Sequence, residues 1–213
     1  MTPSSGSQHG SRHGSRHGQY FDDDPSVASN PVEVTWSLPD GPLVLTTDRG
    51  VFGYGQVDTG TKLLLVTLGA PPATGDLLDI GCGTGPIALT MARRAPGATV
   101  WAIDVNRRAR DLCTANAARH GLANVRVCAP DEVPDDVRFA AIWSNPPIRI
   151  GKPALHELLL RWTARLAPDG EAHLVVQKHL GSDSLQRWLV EQGLSTDRVA
   201  TGAGFRVLRV RRS

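Results

Sequence analysis

From Asp76 onward, short apolar runs suited to strands alternate with longer segments whose apolar residues recur at helical spacing. Strands are expected at Asp76 to Ile80, Thr99 to Ile103, Val125 to Cys128, Phe139 to Ser144 and Ala172 to Gln177. Helices are expected near Pro86 to Arg94, Arg107 to His120, Pro153 to Leu166 and Ser184 to Glu191. Strands that alternate with crossover helices need a mostly parallel sheet covered on both faces, so the fold class is α/β, doubly wound. Ser195 to Ala200 and Phe205 to Val210 are joined by Thr201-Gly202-Ala203-Gly204, a link too short for a crossover; they read as an antiparallel hairpin closing the sheet edge.

Ahead of this core, Val32 to Trp36 and Leu43 to Thr47 are β-branched runs on either side of Pro39-Asp40-Gly41-Pro42, the chemistry of a turn, and predict an N-terminal β-hairpin extension. Gly50 to Gly55 is a glycine-rich link, and Asp58 to Leu68 has helical periodicity with Asp58 or Thr59 as cap. Residues 1–19 are almost entirely Ser, Gly, His and Arg, with Ser11-Arg12-His13-Gly14 repeated as Ser15-Arg16-His17-Gly18. Such a segment buries too little apolar surface to offset its ordering entropy and is expected to be a disordered, solvated tail. The remainder, 20–213, reads as one domain: hairpin and leading helix over 20–75, core over 76–213.

Composition narrows this picture only modestly. The 213 residues carry a formal charge of +2, which neither demands nor excludes a polyanionic partner. Cys82, Cys113 and Cys128 form no CxxC pair and no zinc-type spacing, so no metal is expected, and free thiols suit a reducing, cytoplasmic setting. No run approaches the ~20 apolar residues of a membrane span.

Candidate chemistry begins at the first core strand, where Leu77-Leu78-Asp79-Ile80 runs into Gly81-Cys82-Gly83-Thr84-Gly85 and then a helix. Three glycines let backbone approach a ligand closely. The GxGxG spacing differs from the GxGxxG of dinucleotide sites, and no Lys-Ser or Lys-Thr pair follows as in a P-loop. Asp79 would repel a pyrophosphate there and suit a ligand ammonium. Asp104 ends the second strand, where a carboxylate can accept both hydroxyls of a ribose; by itself it reads equally as a cap for the helix starting at Arg107.

These residues resemble the class I S-adenosylmethionine-dependent methyltransferases. The resemblance implies a seven-stranded sheet with one antiparallel strand, and S-adenosylmethionine held by Asp79, Gly81, Cys82, Gly83, Thr84 and Gly85, by Asp104 with Val105, and near the adenine by Asp131.

The fourth core strand ends in Ser144-Asn145-Pro146-Pro147-Ile148. Two prolines withdraw two N–H donors, so pairing stops and a rigid turn follows. A conjugated amine is a poor nucleophile, but the Asn145 side-chain oxygen and the Pro146 carbonyl can hold its two hydrogens and aim its lone pair. The motif resembles the amino-methylating branch of that superfamily, with Asn145, Pro146, Pro147 and Ile148 as catalytic turn and Asn145 also touching the cofactor; Ile148 stands where the family generally has a stacking aromatic. Over a longer stretch the chain looks like the small-domain methyltransferases that include bacterial 16S ribosomal RNA guanine-N2 enzymes, with Phe52 and Thr61 closing the cofactor site. The partner implied is RNA. Arg149 and Lys152 flank the turn, where a phosphate beside a flipped-out base is held. Arg206, Arg209, Arg211 and Arg212 read either as further RNA contacts or as a charge-protected edge strand. The alternatives to an RNA guanine-N2 enzyme are a protein glutamine-amide methyltransferase and a non-catalytic RNA-binding module.

Overall fold

A computed structural model describes residues 27–213; the reading made of the low-complexity tail, 1–19, and the expected start of the domain at residue 20 lie outside the described residues. An antiparallel hairpin comes first, β1 (Val32–Leu38) and β2 (Gly41–Thr47), paired from Val32↔Thr47 to Leu38↔Gly41 around Pro39-Asp40. It forms its own two-stranded sheet. Then come α1 (Thr59–Thr67), β3 (Thr74–Ile80), α2 (Pro86–Arg94), β4 (Gly97–Ile103), α3 (Arg107–Arg119), β5 (Val125–Cys128), β6 (Phe139–Ser144), α4 (Lys152–Thr163), β7 (Leu166–Gln177), α5 (Ser182–Glu191), β8 (Leu194–Gly202) and β9 (Phe205–Arg212).

The seven main strands lie in the order β5-β4-β3-β6-β7-β9-β8. The pairs β3–β4, β3–β6, β4–β5 and β6–β7 are parallel, while β9 runs antiparallel to both β7 and β8. Side-chain alternation along each strand sorts the core into two layers. Leu77, Val100, Ala141, Val175 and Val207 pack with the hairpin, α1, α2 and α3, whereas Leu78, Trp101, Ile142, Leu174 and Leu208 pack with α4 and α5.

The expected strands and helices are all present, with one correction of type. Leu166, expected to end α4, opens β7 instead: it pairs with Phe139 and is fully buried. The pairing then jumps to Ala141↔Glu171, and Gly170 lies so close to the Phe139 carbonyl that a Cβ would sit 2.5 Å from its oxygen. A β-strand interrupted by Pro168-Asp169-Gly170 does not show the period-two pattern that would have announced it. No helix among the described residues is long and apolar enough to cross a membrane.

Candidate active site

The site forms where β4, β3 and β6 end side by side. Three ties lock these ends together. The Gly81 and Cys82 N–H groups donate to the Ile103 carbonyl, each at 2.9 Å. Gly83 N–H donates to Asp104 Oδ2 at 2.9 Å. The fully buried Ser144 hydroxyl donates to the Ile80 carbonyl at 2.7 Å. As a result the glycine turn and the Asn-Pro-Pro turn face each other, and a Cβ on Gly81 would lie 3.9 Å from Pro147 Cδ.

Within the glycine turn each glycine answers a different demand. Gly83, at φ +54°, would direct a Cβ into open space, which leaves room for a ligand over the turn. Gly85, at φ +96°, cannot accept a Cβ, because Leu89 Cδ1 and Cys113 Sγ would stand 2.7 and 2.8 Å away. Pro86 then opens α2, where its missing N–H costs nothing. Cys82, buried beside the Cys113 thiol, is pushed well above the ordinary thiol range by that neighbour and by burial. It is a packing residue here.

The two acids differ in placement. Asp79 has no exposed surface: its Oδ2 accepts the Ala88 N–H of α2 at 3.0 Å, and its Oδ1 has no partner among the described residues. Burial pushes its carboxyl well above the usual range, with the Asp104 charge adding to the effect. Asp79 thus underlies the turn, with Oδ1 the carboxylate atom left unpaired. Asp104 is not the cap of α3, a role taken by Asn106, whose Oδ1 accepts from Ala109 N–H. Its oxygens hold Gly83 and Asn106 N–H, each at 2.9 Å, and each keeps a second lone pair. Burial raises the Asp104 carboxyl, and these two N–H groups and Arg110 draw it partly back.

On the opposite wall, Asn145 Nδ2 donates to Asp58 Oδ1 at 2.8 Å and to Thr61 Oγ1 at 3.0 Å. Both amide hydrogens are thereby committed, and Oδ1 accepts from none of the described residues. The Pro146 carbonyl accepts Ile148 N–H at 2.8 Å across Pro147, at φ −73° and ψ +73°, an inverse γ-turn that keeps one lone pair available. A 3-10 turn at Ile148–Ile150 and Gly151, at φ +94°, carry the chain into α4.

Of the residues expected at the site, Phe52, Thr61, Gly81, Cys82, Gly83, Thr84 and Asn145 line one crevice. Asp79, Gly85, Asp104, Val105 and Asp131 do not line it, nor do Pro146, Pro147 and Ile148; Asp131 is exposed in the loop after β5. The crevice also takes Trp36 and Thr47 from the hairpin, Asp58 from the start of α1, and Ile87 from α2. Sequence reading missed these, since Trp36 looked like strand and Asp58 like a cap alone. Asp58 is in fact both, for the oxygen that holds Asn145 also accepts Thr61 N–H at 2.7 Å. Trp143 and Trp162 are core at 3% and 0% exposure; Phe52, at 57%, is the exposed aromatic at the crevice.

Arg149 and Lys152 are exposed beside the Asn-Pro-Pro turn, and Lys178 and His179 are exposed at the adjacent end of β7. Among the described residues, Arg149, Lys152 and Lys178 make no salt bridge. The C-terminal arginines are committed elsewhere: Arg209 and Arg211 to Asp197 at 3.0 and 2.9 Å, Arg206 to Asp183.

Comparison with known proteins agrees with this architecture. Residues 42–209 match the family described as methyltransferase small domain. The protein YbxB of Bacillus subtilis is 35% identical over 198 residues, covering 91% of this chain and 98% of its own length. Ribosomal RNA small subunit methyltransferase C of Pseudomonas aeruginosa is 38% identical over 186 residues, covering 84% of this chain and 54% of its own. The chain thus spans about half the length of that relative. A T. thermophilus 16S rRNA N2 methyltransferase, solved with AdoMet and guanosine, superposes with a TM-score of 0.71 at 22% identity, over 89% of this chain and 52% of that one. The glycine turn, the rigid Asn-Pro-Pro turn and these matches converge on one statement: the chain belongs to the methyltransferase small domain family.

Proposed function

We propose that this protein methylates an exocyclic amine of a nucleic-acid base, guanine N2 in ribosomal RNA, using S-adenosylmethionine. The observation that carries the reading is the Asn145 amide, whose nitrogen is held by Asp58 and Thr61 while its oxygen is left free beside a glycine-lined crevice. S-adenosylmethionine, when bound, supplies an electrophilic methyl on a sulfonium that leaves as a neutral thioether. The residues present fit such a group: open space over Gly83, two acids at the turn, and spare lone pairs on Asp104 facing neither helix nor strand partner.

Asn145 Oδ1 and the free lone pair of the Pro146 carbonyl accept the two hydrogens of the amine. That favours a pyramidal nitrogen and aims its lone pair into the crevice. Neither acceptor takes a proton; the methylated product loses one to solvent. Ile148 offers an apolar edge to the base, and the exposed Phe52 lies across the crevice mouth. Arg149, Lys152 and Lys178 meet the phosphates that flank an extruded nucleotide. The names of the ribosomal RNA relatives support the choice of RNA.

Transfer of labelled methyl from S-adenosylmethionine to ribosomal RNA, run beside release-factor protein, tests the reading. Label is expected in RNA, and Asn145→Ala is expected to cut turnover by about a hundredfold or more with cofactor affinity nearly unchanged. Label in protein alone supports the glutamine-amide alternative, and failure to bind cofactor by calorimetry supports a non-catalytic module.

A further inference from the structure

We propose that Asp58 and Thr61 are positioning residues that fix which end of the Asn145 amide faces the crevice, and that they make asparagine rather than aspartate the residue this site requires. The inference rests on the amine-transfer reading above.

A carboxylate can only accept, so the amide group 2.8 Å from Asp58 Oδ1 must be the nitrogen. Flipping the amide would set Oδ1 against that carboxylate, exchanging an attraction for a repulsion, while the Thr61 hydroxyl would have to turn from acceptor to donor. The clamp has little slack. Asp58 Oδ1 is itself held by Thr61 N–H at 2.7 Å as the cap of α1, and Thr61 is 3% exposed. Gly60 seats the same turn against Phe205, whose ring carbon Cε1 would lie 2.7 Å from a Cβ there. The start of α1 is thus pressed onto β9, and its cap dictates the orientation of a side chain at the end of β6. An aspartate at position 145 would bring two carboxylates within hydrogen-bond distance, and one of them would have to turn away or hold a proton.

The test is a set of variants measured with full-length protein. Thr61→Val removes one acceptor at nearly constant shape and is expected to lower kcat about tenfold, with the KM for S-adenosylmethionine and the Tm unchanged. Asn145→Asp is expected to lose about a hundredfold or more. Adding Asp58→Ser to it keeps a cap oxygen for Thr61 N–H and supplies a hydroxyl hydrogen to the new carboxylate, and is expected to recover about tenfold or more of that loss, as a structural role alone would not. A double variant no better than Asn145→Asp, or a Thr61→Val whose only change is a raised cofactor KM, would overturn the proposal. An independent readout needs no substrate: the side-chain NH2 resonances of Asn145 should be sharp and protected from exchange in the wild type and lose protection in Thr61→Val. Unprotected resonances in the wild type overturn the positioning role. A protected amide in a protein that methylates no RNA leaves the clamp standing and overturns the functional reading beneath it.

Discussion

Asp79 concentrates the electrostatic tension of the site. It carries a buried oxygen without a partner and lies near a second acid, Asp104. Its raised pKa makes the folded state bind a proton that the unfolded chain has already released once pH exceeds the ordinary carboxylate value of about 3.9. Stability from this group is therefore present below that value and is lost as pH rises through the raised one. Asp79→Asn keeps an acceptor for Ala88 N–H and cannot ionise. Thermal melts across that window should show the variant gaining on the wild type as pH increases; parallel curves would mean that Asp79 is ionised without cost. A reader of the sequence alone places Asp79 correctly before the glycines but sees neither its complete burial nor its bond to Ala88, because spacing does not report which side of a turn a carboxylate occupies. Asn145 was legible for the opposite reason: two prolines after a strand end leave few conformations, and the residue before them must stand at the rim.

Among elements, a buried amide joins the hairpin to α3. Asn116, 1% exposed, accepts Thr46 N–H at 2.9 Å and donates to the Thr46 and Thr84 carbonyls at 3.0 and 2.9 Å, so it mimics a strand partner for β2 while bracing the glycine turn. Asn116→Leu would strand three backbone groups in the core. A loss of about 3 kcal/mol is expected, or roughly 6–12 °C in Tm for a domain of this size. A shift under about 2 °C would mean that water reaches those groups. Helix α3 was legible from its periodicity, but not its cap, Asn106 rather than Asp104, nor the work of Asn116, since a polar residue inside a helix looks solvent-facing until the hairpin is folded over it. The same limit hid the start of β7. Its first residues pair only after Gly170 admits the Phe139 carbonyl, a contact between segments about thirty residues apart in a pattern no local window contains.

Across the whole molecule, charge is sorted by location rather than by total. The C-terminal strands look as basic as the rim of the site, yet Arg209 and Arg211 share Asp197, and Arg198 and Arg206 share Asp183, which offsets part of that edge's charge and leaves it a protected sheet margin. Arg149, Lys152 and Lys178, which make no salt bridge among the described residues, lie instead beside the Asn-Pro-Pro turn. Titration of an RNA fragment at several salt concentrations should separate the two groups. Arg149→Ala and Lys152→Ala are each expected to reduce the slope of log affinity against log salt by about 1, and Arg209→Gln to leave it unchanged. A slope that responds to Arg209 and ignores Arg149 would move the RNA to the far edge.

The crevice walls come from two separate sheets, Trp36 and Thr47 from one and the glycine turn from the other. Any molecule seated there acts as a staple between them, and the free energy of its binding is added to the docking of the hairpin. Occupancy is thereby broadcast to β1 and β2, whose backbone amides should open less often when the crevice is filled, even at Leu38 and Gly41, the pair beside the tip of the ribbon.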